Sequence, residues 1–231
     1  MTVVLSIRCD DGLVMASDSQ ITDSGRGMSY PAQKLHPLGD HAAWGGSGAR
    51  GVLAELEEGF RDSAGVILDS ADVDRALQRF VVPVLRHHYD NFIEHIPGED
   101  TAGTPSAYVL TAGYAHGRPF IIEINPNGMV SRYEDIGFHA VGSGAAMAQQ
   151  AGALLAHFRM TERSVSYGVV GAVRVIDALR ITAPSVGGPV DVCRITPDGT
   201  DHLDEEEVEE VRGHVRRWTD LERQALDVLF D

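Results

Sequence analysis

The hydrophobic period of this chain changes repeatedly from one end to the other, and that alternation constrains the fold more than any other feature. Residues 2–22 are extended in character: apolar stretches on both sides of the turn-forming "CDDG" read as a β-hairpin. After the polar loop "TDSGRGMS", "HAAWGGSGARG" reads as a short strand entering a glycine-rich turn. Helical spacing then takes over. Val52, Leu53, Leu56 and Phe60 share one face, and Val73, Leu77, Phe80, Val84, Tyr89, Phe92 and Ile96 keep the spacing past Pro83, which should kink or restart the helix. The period returns to two in "SAYVLTAGYA", "RPFIIEINP", "MVSRYED" and "FHAVGSG", four strands separated by turn residues. A helix is expected from Ala145 to about Phe158, and a second from a Ser164 cap to about Ile181; "GGPVDVCRI" supplies a late strand. The tail from Asp204 carries acids early and arginines later, as a helix dipole favours.

This order implies an α+β chain in which two stacked sheets carry helices on their outer faces: a four-layer α-β-β-α sandwich with an extra C-terminal helix. Pattern alone also permits a generic α+β domain. One main domain is expected over residues 1–203, with an acidic helical extension over 204–231 packed on it or on a neighbouring copy.

Composition narrows the function classes. With 231 residues, 43% of them hydrophobic, the chain can bury a full core. A formal net charge of −15 would repel phosphate backbones and anionic lipid, which argues against nucleic-acid and membrane partners. Arg8, Asp10 and Asp11 interrupt the first apolar run, and no segment is apolar for long enough to span a bilayer, so a cytoplasmic protein is expected. The two cysteines, Cys9 and Cys193, are too few for a disulfide scaffold or zinc site and read as small core residues. His87, His88 and His95 read as a solvated helix face, and "DEEEVEEV" as an exposed helix start, so neither metal nor cofactor is expected. "GGSG" and "VGSGA" are not phosphate loops, because no Lys-Ser/Thr follows the glycines.

The chemistry concentrates at the chain start. A hairpin turning about residues 10–12 pairs residues whose numbers sum to roughly 21, which sets Thr2 opposite Ser19 and brings Asp18 beside the terminus. Removal of Met1 would give Thr2 a free α-amine next to its own hydroxyl. That amine, with a reference pKa of about 7.7–8.0, can take the hydroxyl proton without any histidine. A nearby cation would help to keep the amine neutral. Of the 19 basic residues 18 are arginine, and Lys34 is the single lysine. A compact ammonium whose pKa falls on burial suits a tight site as guanidinium does not, although spacing alone is equally consistent with a lone loop lysine.

Thr2, Asp18 and Lys34, together with the "DG" turn and the "ASDSQIT" segment, resemble the nucleophile, aspartate and lysine of the proteasome β-subunit family of N-terminal-nucleophile hydrolases, which includes HslV-type proteases. The resemblance runs from Thr2 to about Ile195. It implies the four-layer sandwich and further roles: Thr22 for substrate backbone, Gly46 N–H as oxyanion donor, Trp44 or Gly45 as pocket wall, and Ser143 in "AVGSGA" beside the nucleophile's amine. Ser185 matches a supporting serine, but Thr182 stands where many members carry an aspartate; Asp177, earlier in that helix, reads as a surface or capping residue. Also implied are a self-compartmentalising threonine endopeptidase acting on protein or peptide substrates, a homo-oligomeric ring, and an ATP-dependent unfoldase as partner. Maturation is expected to need only loss of Met1. Two other readings remain: a proteolytically inactive ring or scaffold that keeps Met1, and an amidohydrolase of small molecules.

Overall fold

The computed structural model describes residues 2–23, 28–94, 103–183 and 186–230. The opening hairpin is β1 (Val4–Arg8) and β2 (Leu13–Asp18), paired Val4↔Ser17 through Arg8↔Leu13, so partner numbers sum to 21 as the turn requires. Two short strands, β3 (Gln20–Asp23) and β4 (Met28–Pro31), pair with each other outside the main sheets. Then follow β5 (Leu35–Pro37), β6 (Ala42–Gly48), α1 (Arg50–Leu68) and α2 (Val73–Asp90). The middle strands are β7 (Ala107–Ala115), β8 (Arg118–Ile124), β9 (Val130–Arg132) and β10 (Phe138–Val141). The chain continues through α3 (Ala145–Ala156), α4 (Val165–Thr182), β11 (Val190–Thr196), β12 (Gly199–His202) and α5 (Glu205–Phe230).

One sheet has the order β10-β1-β2-β11-β12 and the other β5-β6-β7-β8-β9. Strand alternation divides the apolar side chains among three layers. Val4, Leu13, Met15, Ala43 and Leu110 meet between the sheets. Leu5, Ile7, Val14 and Ala16 face the other way, onto Val169, Val173 and Ile176 of α4. Trp44, Val109 and Ile122 pack against Leu56 and Phe60 of α1 and Leu77 of α2. The result is the four-layer α-β-β-α sandwich. Both cysteines are buried free thiols, and burial pushes each up to about 12. No helix among the described residues is long and apolar enough to cross a membrane.

Several local expectations change. α2 runs through Pro83 without a break; Pro83 and Arg79, whose carbonyl loses its usual donor, are both exposed, so water can serve that oxygen. It stops at Asp90, where Asn91 turns its backbone N–H (3.3 Å) and side-chain amide (2.7 Å) onto the His87 carbonyl. Phe92 therefore lies past the helix, and Ile96 falls outside the described residues. Ser164 stands at the N-cap of α4, as expected, but its side chain makes no capping bond. The cap comes from 154 residues away: Asp11 Oδ1, in the hairpin turn, accepts the Val165 N–H at 2.6 Å. Gly12 permits that approach, since a Cβ there would lie 2.6 Å from the Ile195 carbonyl and 3.2 Å from Val165.

The start of α5 is a reciprocal capping box, Asp204 N–H to Glu207 and Glu207 N–H to Asp204, both 2.9 Å. Val208, Val211, Val215 and Trp218 pack on the α4 layer. Asp177 is neither cap nor idle surface residue, because both its oxygens accept from Arg212 of α5, at 3.0 and 3.2 Å. Arg174 reaches Glu222 at 2.9 Å and lies 4.0 Å over the Trp218 ring. Beyond Glu222, Leu226, Val228, Leu229 and Phe230 are exposed.

Candidate functional site

The site lies where β1 begins, β2 ends and β10 turns into α3. Asp18 is the last residue of β2, paired with Val190 of β11, and its carboxylate sits at the hairpin's open end beside Val3. It is fully buried and fully engaged. Oδ1 accepts the Val3 N–H at 3.0 Å and Lys34 Nζ at 2.8 Å, while Oδ2 accepts the N–H groups of Gln20 at 3.2 Å and Gly187 at 3.3 Å. Lys34, just before β5, also donates to the Gln20 carbonyl at 2.7 Å. Burial lowers the Lys34 pKa below 10.5, against the opposing pull of Asp18 and Asp191. Asp191 of β11 accepts the Lys34 backbone N–H at 3.4 Å, and burial raises its own carboxyl.

A second arm arrives from the 142–144 turn. Ser143 Oγ accepts from the Thr2 nitrogen at 3.0 Å, and the Gly144 N–H donates to the Thr2 carbonyl at 3.1 Å. In the full chain that nitrogen is the peptide N–H joining Met1 to Thr2; after removal of Met1 the same atom would be the free α-amine. Gly142 has φ +100°, and a Cβ there would sit 2.3 Å from the Thr2 carbonyl oxygen, so only glycine lets the turn close so tightly on Thr2. Thr2, Asp18, Lys34 and Ser143 thus form one cluster, although 141 positions separate its ends.

Strand β6 forms the adjoining wall. Gly45 lies directly behind Lys34: a Cβ there would come within 2.9 Å of both the Lys34 carbonyl and Val4. Gly46 has its side-chain position toward α1, 2.4 Å from Leu53. Leu38 donates to the Ala42 carbonyl on the β5 side, and Ala49 donates to Ser106 on the β7 side. By alternation, Gly46 and Gly48 turn their backbone groups to the β5 side, where pairing ends at Leu35↔Gly45. Trp44 must be corrected: its indole is 1% exposed, stacked on His36 and packed at a tilt against Phe60 on the helix side of the sheet, so it cannot line an open pocket here. Alternation explains this, since odd positions of β6 face the other sheet and even ones the helices. The Thr22 backbone pairs with Ser29, but its side chain lies outside the described residues, as does Ser185. His88 pairs with Glu55 of α1 at 2.8 Å, and His95 lies outside the described residues.

Sequence reasoning missed Gly142, Gly144, Gly187 and Asp191. The doubled glycines in "VGSG" and "VGGP" were a signal for close backbone approach; Asp191 had none. A surface groove of about 1070 Å³ between α4 and α5 is lined by none of these residues.

Comparison with known proteins agrees with this architecture. Two curated proteins named proteasome subunit beta 1 are each 26% identical to the chain. The one from Streptomyces avermitilis aligns over 91% of this chain and 74% of its own length, and the one from Thermococcus onnurineus over 90% and 95%. Among solved structures, an Anbu (Gly-1) mutant from Hyphomicrobium sp. strain MC1 superposes with a TM-score of 0.74 at 18% identity, covering 100% of both chains. Anbu, described as an ancestral beta-subunit, from Yersinia bercovieri gives 0.74 at 16% identity, covering 99% of this chain and 96% of that one. The model of the proteasome subunit family matches residues 2–180, nearly the whole sandwich, and the chain belongs to that family.

Proposed function

We propose that this chain is a threonine-type endopeptidase subunit that becomes active when Met1 is removed. The observation that carries this is the convergence on Thr2: Ser143 Oγ at its nitrogen, and Asp18 bridging the Val3 N–H to the buried Lys34 ammonium. Once freed, the α-amine takes the proton of the Thr2 hydroxyl, and Oγ attacks a peptide carbonyl. The Lys34 ammonium, held in place by Asp18, supplies the positive charge that favours the neutral, basic form of the amine. A strand-edge N–H of β6, Gly46 or its neighbour Gly48 beyond the end of β5, donates to the oxyanion. Collapse of that intermediate breaks the C–N bond, the leaving amine takes the proton from the Thr2 amine, and an ester on Oγ remains. Water, deprotonated by the same amine, hydrolyses the ester and regenerates Thr2.

The proposal extends to assembly. A homo-oligomeric ring, closed by repeating one heterologous contact, would enclose the sites and restrict them to unfolded protein or peptides, with an ATP-dependent unfoldase as feeder. Intact-mass measurement of the purified protein should show loss of Met1, and a peptide β-lactone should add one acyl group at Thr2. The Thr2→Ala variant should neither label nor hydrolyse peptides. Retained Met1 with no labelling would favour the inactive-scaffold reading, and peptide hydrolysis surviving in Thr2→Ala would move the site elsewhere.

A further inference from the structure

Away from Thr2, at the other end of β10, lies a buried polar constellation with no part in the chemistry above. His139 is 6% exposed in a strand whose other residues are apolar. Its Nε2 meets the Glu123 carboxylate of β8, on the opposite sheet, and its Nδ1 meets the Gln149 side-chain amide of α3 at 2.9 Å. The Tyr133 ring stacks on the imidazole at 3.4 Å between centroids, with planes 8° apart. An ionised Glu123 assigns the Nε2 proton to donate toward it, which leaves Nδ1 as acceptor for the Gln149 N–H.

Packing alone does not call for this arrangement, since an apolar residue at 139 would fill the space between the sheets without polar groups to satisfy. The placement along the chain supplies a reason. His139 stands four residues before Ser143 and Gln149 six residues after it, so their hydrogen bond spans the base of the turn that contacts Thr2. β10 is an edge strand of four residues paired with β1, and α3 begins at Ala145 after Gly144, which offers no side-chain cap. Neither flank of the turn is well anchored by its own secondary structure. The Glu123–His139–Gln149 bonds tie both flanks to each other and to the second sheet.

We infer that His139, Gln149 and Glu123 are positioning residues: they hold the Gly142–Gly144 turn so that Ser143 Oγ and the Gly144 N–H stay in register with Thr2. This rests on the reading of Thr2 as nucleophile. Loosening the turn should slow the chemical step while leaving encounter with the probe unchanged.

The test uses the full-length protein after Met1 removal and a peptide β-lactone. In Gln149→Leu and Glu123→Leu, the maximal rate of Thr2 acylation should fall about tenfold, within the ~100-fold that a 1 Å misplacement can cost, with the half-saturating probe concentration unchanged. Glu123→Gln, whose amide oxygen still accepts from His139 Nε2, should restore the rate. Hydrogen exchange supplies a readout independent of activity: amides at residues 142–144 should exchange faster in Gln149→Leu while those of α1 and α2 do not change. Unchanged acylation together with unchanged exchange at 142–144 would overturn the inference and leave Thr2 as nucleophile intact. A wild type that loses Met1 but is never acylated would overturn both.

Discussion

The Lys34–Asp18 and Arg174–Glu222 pairs each join separate elements through a short contact, yet one is sealed inside the molecule and the other lies along its outside. The side chains of Lys34 and Asp18 are 6% and 0% exposed; those of Arg174 and Glu222 are 28% and 37% exposed. Taking an ammonium and a carboxylate out of water is expensive, and their attraction repays that only if the remaining hydrogen-bonding capacity is met. Asp18 meets it with three backbone N–H groups, so its charge is well held even without Lys34. Lys34 depends on Asp18 and one carbonyl. The outer pair has water at hand and a Trp218 ring below it, and it fastens a helix that already has apolar contacts. The buried pair is therefore a device for geometry, and the exposed pair a modest clasp.

The contrast can be broken most directly at its centre. Asp18→Ala removes the acceptor of four donors and leaves the ammonium buried, so it should cost about 3–5 kcal/mol in urea unfolding. Lys34→Met should cost distinctly less, because Asp18 keeps its three N–H partners, while abolishing acylation of Thr2. Equal losses in the two variants would show that the pair, not the N–H cradle, holds the carboxylate.

A pH series sharpens the comparison. The folded Lys34 pKa lies below the unfolded value of 10.5, chiefly through burial. Between those two values the unfolded chain binds a proton that the folded chain lacks, so stability rises with pH across that window. Below the folded value the penalty for a buried ammonium is fully present. Wild type should thus gain on Lys34→Met as pH rises toward 10.5, and a flat difference between the two would contradict the burial effect.

The smallest effect belongs to the outer pair. Glu222→Gln should destabilise by about 1 kcal/mol or less, as exposed ion pairs generally do. The hydrogen bond from Arg174 lowers the Glu222 pKa, so its contribution is present above 4.5 and fades as pH falls through the folded value. A loss as large as that of Asp18→Ala would mean that α5 is integral to the sandwich.

The reading of the sequence succeeded where structure is local. The hairpin register follows from its turn and from two-residue alternation, which is why Asp18 could be set beside Thr2. The 3.6-residue stripes of α1 and α2 likewise depend on neighbours a turn or two away. β12, the β3–β4 pair and the exact end of α2 were missed, because short strands carry little periodicity and exist by pairing with something already in place. Trp44 failed for a different reason: alternation says that neighbours on β6 face opposite ways, but not which face meets the helices.

By itself, then, the sequence determined the succession of strands and helices, the pairing that brings Asp18 to the chain start, and a single lysine capable of an ammonium's role. Only the tertiary structure decided that the Gly144 N–H closes on the Thr2 carbonyl, that Gly187 completes the Asp18 cradle, that Asp11 caps α4, and that His139 ties the two sheets together. Those contacts cross from 16 to 169 positions of chain. Their formation depends on how sheets and helices pack in three dimensions, which spacing along the chain does not encode.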